Sequence, residues 1–158
     1  MRLPTRAFLL LLGMLCVSLT VASETATVTR VVDGDTLVVD IAGQEERVRL
    51  IGVDTPETVH PNKPVEYFGK EASAFTKRIA EGETVRLESD PQNSNRDRYK
   101  RLLRYVYLPD GTCLNAEIIR QGYGFAYVKY PFSRMEEYRL LERDAREEGR
   151  GLWRQTGP

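Results

Sequence analysis

The sequence predicts an α+β domain, mainly β, built on a small five-stranded barrel with about three helices. Three observations predict it. Five short runs rich in β-branched residues are separated by turn residues. Apolar side chains recur at helical spacing in two longer stretches. The length of 158 residues, with 41% hydrophobic and 29% charged side chains, suits one globular domain rather than a disordered chain.

The N-terminal stretch, residues 1–23, reads as a signal peptide rather than as part of the fold. Arg2 and Arg6 give a positive start, Ala7–Ala22 carries no charge, and Val21-Ala22-Ser23 offers the small residues a signal peptidase needs. The run is short for a membrane span, which takes ~20 apolar residues. The domain is therefore expected to occupy residues 24–158, with a mature start near Glu24 and a secreted or periplasmic location. Removing the leader takes two of the 23 basic side chains and none of the 23 acidic ones. The bulk charge then gives no support for nucleic-acid binding, so any such function needs a local cluster. Only Cys113 remains after the leader, so no intrachain disulfide can form. Its neighbours Thr112 and Leu114 suggest a buried strand thiol.

Ala26–Val32, Thr36–Ile41 and Arg47–Val53 read as three strands of a meander, turning at Asp33-Gly34-Asp35 and Ala42-Gly43-Gln44. Gly52 marks a bend in the third. Pro61 and Pro64 interrupt, and Phe68, Ala72, Phe75 and Ile79 then predict a helix over 66–80. Thr84–Leu87 is a fourth strand, 90–97 a polar loop, and Leu102–Leu108 a strong fifth strand closed by Pro109-Asp110-Gly111. Asn115 is placed to cap a short helix through Gln121, stopped by Gly122. Ser133 is placed to cap a last helix with Met135, Tyr138, Leu141 and Ala145 on its apolar face. Gly149 and Gly151 end that helix, and Trp153 packs back on the body. Five strands with inserted and appended helices in so short a chain fit a barrel of the OB type.

Composition excludes several chemistries. One His and two Cys cannot supply a four-ligand Cys/His zinc site. Neither the nucleophile-elbow serine motif nor a phosphate-binding P-loop is present. Carboxylates and arginines are abundant, so a metal site would be oxygen-rich and suited to a hard cation. Asp33-Gly34-Asp35-Thr36 lies at the first turn, and Asp54-Thr55-Pro56-Glu57-Thr58 follows the third strand. Adjacent strands can bring these acids together, and a divalent cation relieves the repulsion. Alone, the first motif reads first as a polar turn. Arg49 precedes Asp54 by five residues, and Arg101 opens the fifth strand. Two guanidiniums beside such acids suit a phosphate group, although Arg98–Arg101 alone is also an ordinary basic strand edge.

Taken in order, Asp33-Gly34-Asp35-Thr36, Arg49, Asp54-Thr55-Pro56-Glu57-Thr58 and Asp97-Arg98-Tyr99-Lys100-Arg101 resemble the staphylococcal nuclease family. Glu71-Ala72-Ser73-Ala74-Phe75-Thr76-Lys77, Arg120-Gln121-Gly122, Ala126-Tyr127-Val128 and Gly149-Arg150-Gly151-Leu152-Trp153 extend the resemblance over about residues 26–153. The resemblance implies a calcium-dependent OB-fold endonuclease that cuts DNA and RNA and leaves 3′-phosphate ends. It implies that Asp35 and Asp54 bind Ca²⁺ with the Thr55 backbone oxygen, and that Glu57 is the general base. Arg49 and Arg101 would grip the phosphate, while Tyr99 and Tyr127 line the nucleotide site. It further implies a monomer with no stable protein partner and no membrane attachment once the leader is cut. Lys100 stands where the family commonly has glycine, and Lys129 where it has a second nucleotide-site tyrosine. The competing class is a catalytically silent OB module that binds nucleic acid or a protein. Such modules typically lose the acid and arginine set, which is intact here.

Overall fold

The computed structural model describes residues 23–58 and 66–154. The expected leader, apart from Ser23, lies outside the described residues, as do Pro61 and Pro64. The elements in chain order are β1 (Ser23–Asp33), β2 (Thr36–Ile41), β3 (Gln44–Leu50), β4 (Val53–Asp54), α1 (Gly69–Ala80), β5 (Thr84–Glu88), β6 (Leu102–Tyr107), α2 (Leu114–Arg120), β7 (Phe125–Ala126) and α3 (Met135–Glu147). A short 3₁₀ turn, Gly151–Trp153, follows. No helix among the described residues is long and apolar enough to cross a membrane.

Five strands close into a barrel in the order β1-β2-β3-β6-β5, the OB-type architecture expected from the strand count. Closure needs curvature, and β1 supplies it with two register irregularities against β2, at Val28/Arg30 and Val31/Asp33. The barrel closes through a parallel pairing of β3 with β6, Val48 opposite Leu102 and Leu50 opposite Arg104. Val28, Leu37, Val39, Val48, Leu50, Val85, Leu87 and Val106 fill the interior. Alternation along each strand puts these side chains on one face, so register and core specify each other. Helix α1 buries Ala72 and Phe75, and α3 buries Tyr138 and Ala145, each on its apolar stripe.

The third expected strand divides. β3 begins earlier, at Gln44, and ends at Leu50. The chain bends through Gly52, whose φ is +72°. A Cβ there would lie 2.6 Å from the Phe132 ring, so glycine is required by both backbone and space. β4 then leaves the barrel and pairs with β7, a two-residue strand too short to show in the sequence.

Two expected helix caps have other work. Cys113, not Asn115, precedes α2, and no side chain caps it. Asn115 is fully buried inside the first turn. It accepts the Val106 N–H at 2.9 Å and donates to the carbonyls of Ile51 and Arg104 at 3.0 and 3.1 Å. It therefore ties β6 to the bend after β3, satisfying backbone groups that the ladder cannot reach. Ser133 does not cap α3, whose flanking residue is Arg134; its hydroxyl and N–H both donate to Asp90. Cys113 is a buried free thiol, and it accepts a hydrogen bond from Arg134 Nη1 at 2.9 Å. Trp153 packs edge-on against Phe125 with ring centroids 5.4 Å apart.

Candidate active site

The β1–β2 turn and the loop after β4 meet at Gly34. A Cβ at Gly34 would lie 2.7–2.9 Å from the Thr55 side chain, so only glycine allows this approach. Thr76 on α1 donates to the Gly34 carbonyl at 2.8 Å and fixes the turn from behind. Asp33 clasps the loop, accepting from the Thr58 hydroxyl at 2.8 Å and from the Gly34 N–H at 2.9 Å. Burial pushes the Asp33 carboxyl up to about 6; contact with Glu57 and the charge of Asp35 add to this, against the Thr58 and Gly34 bonds.

Asp35 faces the other way. Its Oδ2 accepts the Thr55 N–H at 3.0 Å and lies 3.1 Å from Arg49 Nη1. Its Oδ1 accepts the Thr36 hydroxyl at 3.0 Å. The bend after β3 folds around the Arg49 guanidinium, which donates to the Val53 carbonyl at 2.7 Å and to Asp54 Oδ1 at 3.0 Å. One guanidinium thus holds two carboxylates, one from the β1–β2 turn and one from β4. Burial raises the Asp54 pKa, and the negative charges of Asp35 and Glu66 add to it, against the pull of Arg49.

Arg101 approaches the same point from the residue before β6. Asp97 receives its Nε and Nη2 at 2.8 and 2.7 Å, and Nη1 reaches the Thr36 hydroxyl at 3.4 Å. Thr36 therefore links Arg101 to Asp35. Between the bend, the 92–101 loop and residues 127–132 lies a cleft of about 500 Å³ whose wall includes Arg49, Asp54, Arg101, Tyr99, Tyr127 and Tyr130. Five of the eight residues singled out from the sequence thus line one cleft. Asp35 and Thr55 stand just behind, joined to it through Arg49 and through each other. Glu57 is not on the cleft wall. Its N–H donates to Glu66 Oε2 at 3.1 Å, its carbonyl accepts the Glu66 N–H at 3.0 Å, and its side chain bonds Asp33.

Sequence reasoning missed three participants. Tyr130 is 60% exposed on the cleft wall, its ring 6.1 Å from that of Tyr127. The ammonium of Lys129 lies 5.8 Å over the Tyr130 ring. The aromatic surface expected two residues after Tyr127 is therefore present one residue later. Thr36 stands in the first acidic motif but received no role of its own, because a threonine in a strand is ordinary. Asp97 carried one, its i,i+4 spacing from Arg101. Lys100 adopts φ +65°, a left-handed conformation that glycine adopts without strain.

No group of three or more His, Cys, Asp or Glu able to hold a metal occurs among the described residues. The donor set is instead two carboxylates, Asp35 and Asp54, with backbone and hydroxyl oxygens around them. All are hard oxygen donors, which fits a cation that keeps several waters and does not fit zinc.

Comparison with known proteins shows a family. The family described as staphylococcal nuclease homologue matches residues 47–155. The chain is 47% identical over 128 residues to the thermonuclease of Staphylococcus intermedius, covering 81% of this chain and 73% of that protein. It is 42% identical over 131 residues to the thermonuclease of Staphylococcus hyicus, covering 82% and 76%. Endonuclease YncB of Bacillus subtilis is 36% identical over 133 residues, covering 83% of this chain and 62% of that protein.

Proposed function

The chain belongs to the staphylococcal nuclease family, and we propose that it is a calcium-dependent endonuclease that hydrolyses phosphodiester bonds of DNA and RNA and leaves 3′-phosphate and 5′-hydroxyl ends. One observation carries the reading: Arg49 on β3 and Arg101 just before β6 converge on one cleft that also holds Asp54 and, behind Arg49, Asp35. Two guanidiniums in one cleft can take several phosphate oxygens at once and oppose the charge that builds as water attacks phosphorus.

Asp35, Asp54 and the Thr55 backbone oxygen would hold Ca²⁺, which when bound supplies positive charge beside the phosphate. Glu57 is the proposed base, taking the proton of the attacking water as the new O–P bond forms. The P–O5′ bond then breaks, and the 5′ oxygen leaves with a proton from solvent. Glu57 is supported by its place on the loop whose Thr55 and Thr58 are pinned by Asp35 and Asp33. Tyr99, Tyr127 and Tyr130 give the flanking nucleotides rings to stack on. The same proposal has the protein exported and cut near Glu24, supported by the uncharged run Ala7–Ala22 after two arginines.

The test is cleavage of DNA and of RNA by purified protein, with Ca²⁺ or with EDTA, followed by end-group analysis. Cleavage in Ca²⁺ alone, with phosphate on the 3′ side, is the expected result. Full cleavage in EDTA would remove the metal assignment. No cleavage in either condition would favour the silent binding module.

A further inference from the structure

Arg101 leaves a strained turn. Lys100, immediately before it, sits at φ +65°, a conformation that costs an L-residue energy and that glycine adopts freely. Within the turn, Asp97 Oδ1 accepts the Tyr99 and Arg101 N–H groups at 2.9 and 3.0 Å, and a second side chain ties the turn to the barrel. Arg96 Nη1 donates to the Lys100 carbonyl at 2.8 Å. The same guanidinium grips Glu46 on β3 with both nitrogens, Nη1 to Oε2 and Nη2 to Oε1, each at 2.8 Å. These bonds hold the Glu46 carboxyl below its usual range. The Arg96 backbone is fixed too: its carbonyl accepts the Ser94 hydroxyl at 2.8 Å, and it bridges to Leu102.

We propose that Arg96, anchored on Glu46, is a positioning residue for Arg101: it ties the left-handed Lys100 turn to the barrel wall and so sets the direction in which Arg101 enters the cleft. Arg96 is not on the cleft wall, whereas Ser94, Asp97, Arg98, Tyr99 and Arg101 are. It acts through the turn, not on substrate. An exposed ion pair alone contributes little. Here the pair joins three chain segments, and the third is the carbonyl of the strained residue. Lysine cannot replace the fork, because one ammonium cannot reach both carboxylate oxygens and the carbonyl in one plane. The inference rests on the reading in which Arg101 grips the phosphate.

The test is steady-state cleavage of DNA by Arg96→Ala, Arg96→Lys and Glu46→Gln, each in the native and the Lys100→Gly background. Thermal unfolding checks that every variant is folded at the assay temperature. In the native background Arg96→Ala should lower kcat by about 10-fold or more with KM within about twofold, as expected for a misaimed group. Arg96→Lys should recover only part of the loss. In the Lys100→Gly background, where the turn needs no clamp, the same Arg96→Ala change should cost less than about twofold. An equal kcat loss in both backgrounds would overturn the proposal, as would a loss confined to KM that lysine fully restores and salt abolishes. The second pattern would make Arg96 a plain charge near the nucleic acid. Arg101→Lys serves as control: if it keeps wild-type kcat, the phosphate-clamp reading itself fails, whatever Arg96 does.

Discussion

Asp90 and Asp54 are both aspartates packed against protein, and their pKa values move in opposite directions. Asp90 is 2% exposed. Its Oδ2 accepts the Tyr105 hydroxyl at 2.5 Å and the Ser133 N–H at 2.7 Å; its Oδ1 accepts the Gln92 N–H at 2.8 Å and the Ser133 hydroxyl at 3.0 Å. Burial pushes this carboxyl up, but the bonds from Tyr105, Ser133 and Gln92 outweigh it and hold it below its usual range. Asp54 is half-buried and, among the described residues, has one donor group, Arg49, which it shares with Asp35. Its carboxyl is raised. A carboxylate filled by four fixed neutral donors locks loops together and has no capacity left. A carboxylate short of donors, beside a like charge, keeps its capacity for an ion.

The largest effect should come from the second region. Asp54→Asn should lower kcat by about 10²–10³-fold or more, as for loss of a group that organises transition-state charge. It should shift Tm by only a few degrees at most, because it also removes a repulsion. A large drop in Tm would make Asp54 structural and erase the contrast. Of comparable size, Glu57→Gln keeps shape but cannot accept a proton, so turnover should fall by about 10²–10⁴-fold with substrate affinity nearly unchanged. Unchanged turnover would leave Glu57 only a loop organiser.

Asp90→Asn should do the reverse of Asp54→Asn. It should cost about 2–4 kcal/mol of stability, because charge-assisted bonds are lost and buried donors are left poorly matched. kcat of the folded protein should hold. The folded pKa of Asp90 lies below the ordinary 3.8. Its contribution is therefore complete above that value and is lost as pH falls through the folded value. Acid unfolding of the Asn variant should be correspondingly less steep, measured by denaturant titration between pH 6 and pH 2. The smallest effect belongs to the cleft wall. Tyr130→Ala should weaken single-stranded DNA binding by about 10-fold, the loss of one stacking surface. No change would leave Tyr127 and Tyr99 as the only stacking rings.

What the sequence made legible follows the range of the interactions involved. The barrel strands and α1 show because alternation and helical spacing are local patterns: Val48 and Leu50, or Ala72 and Phe75, announce their own faces. The acids and arginines show because their types and order are chemically specific. Asn115 and Ser133 were misread as caps because their partners lie far along the chain, Ile51 for one and Asp90 for the other. A buried polar side chain looks the same in sequence whether it caps its own helix or ties two distant elements. β7 was invisible because two residues carry no periodicity. The role of Arg96 was invisible because it depends on the backbone angle of Lys100 and on a glutamate fifty residues away.

The central claim is that Asp54, with Arg49 as its one donor group among the described residues, forms a hard-cation site with Asp35, while Asp90 does not. Isothermal titration of Ca²⁺ into the purified protein tests it without reference to cleavage. The wild-type protein and folded Asp90→Asn should each bind one ion with similar affinity, and the Asp35→Asn/Asp54→Asn double variant should show no saturable heat. Binding of wild-type strength in that double variant would contradict the account.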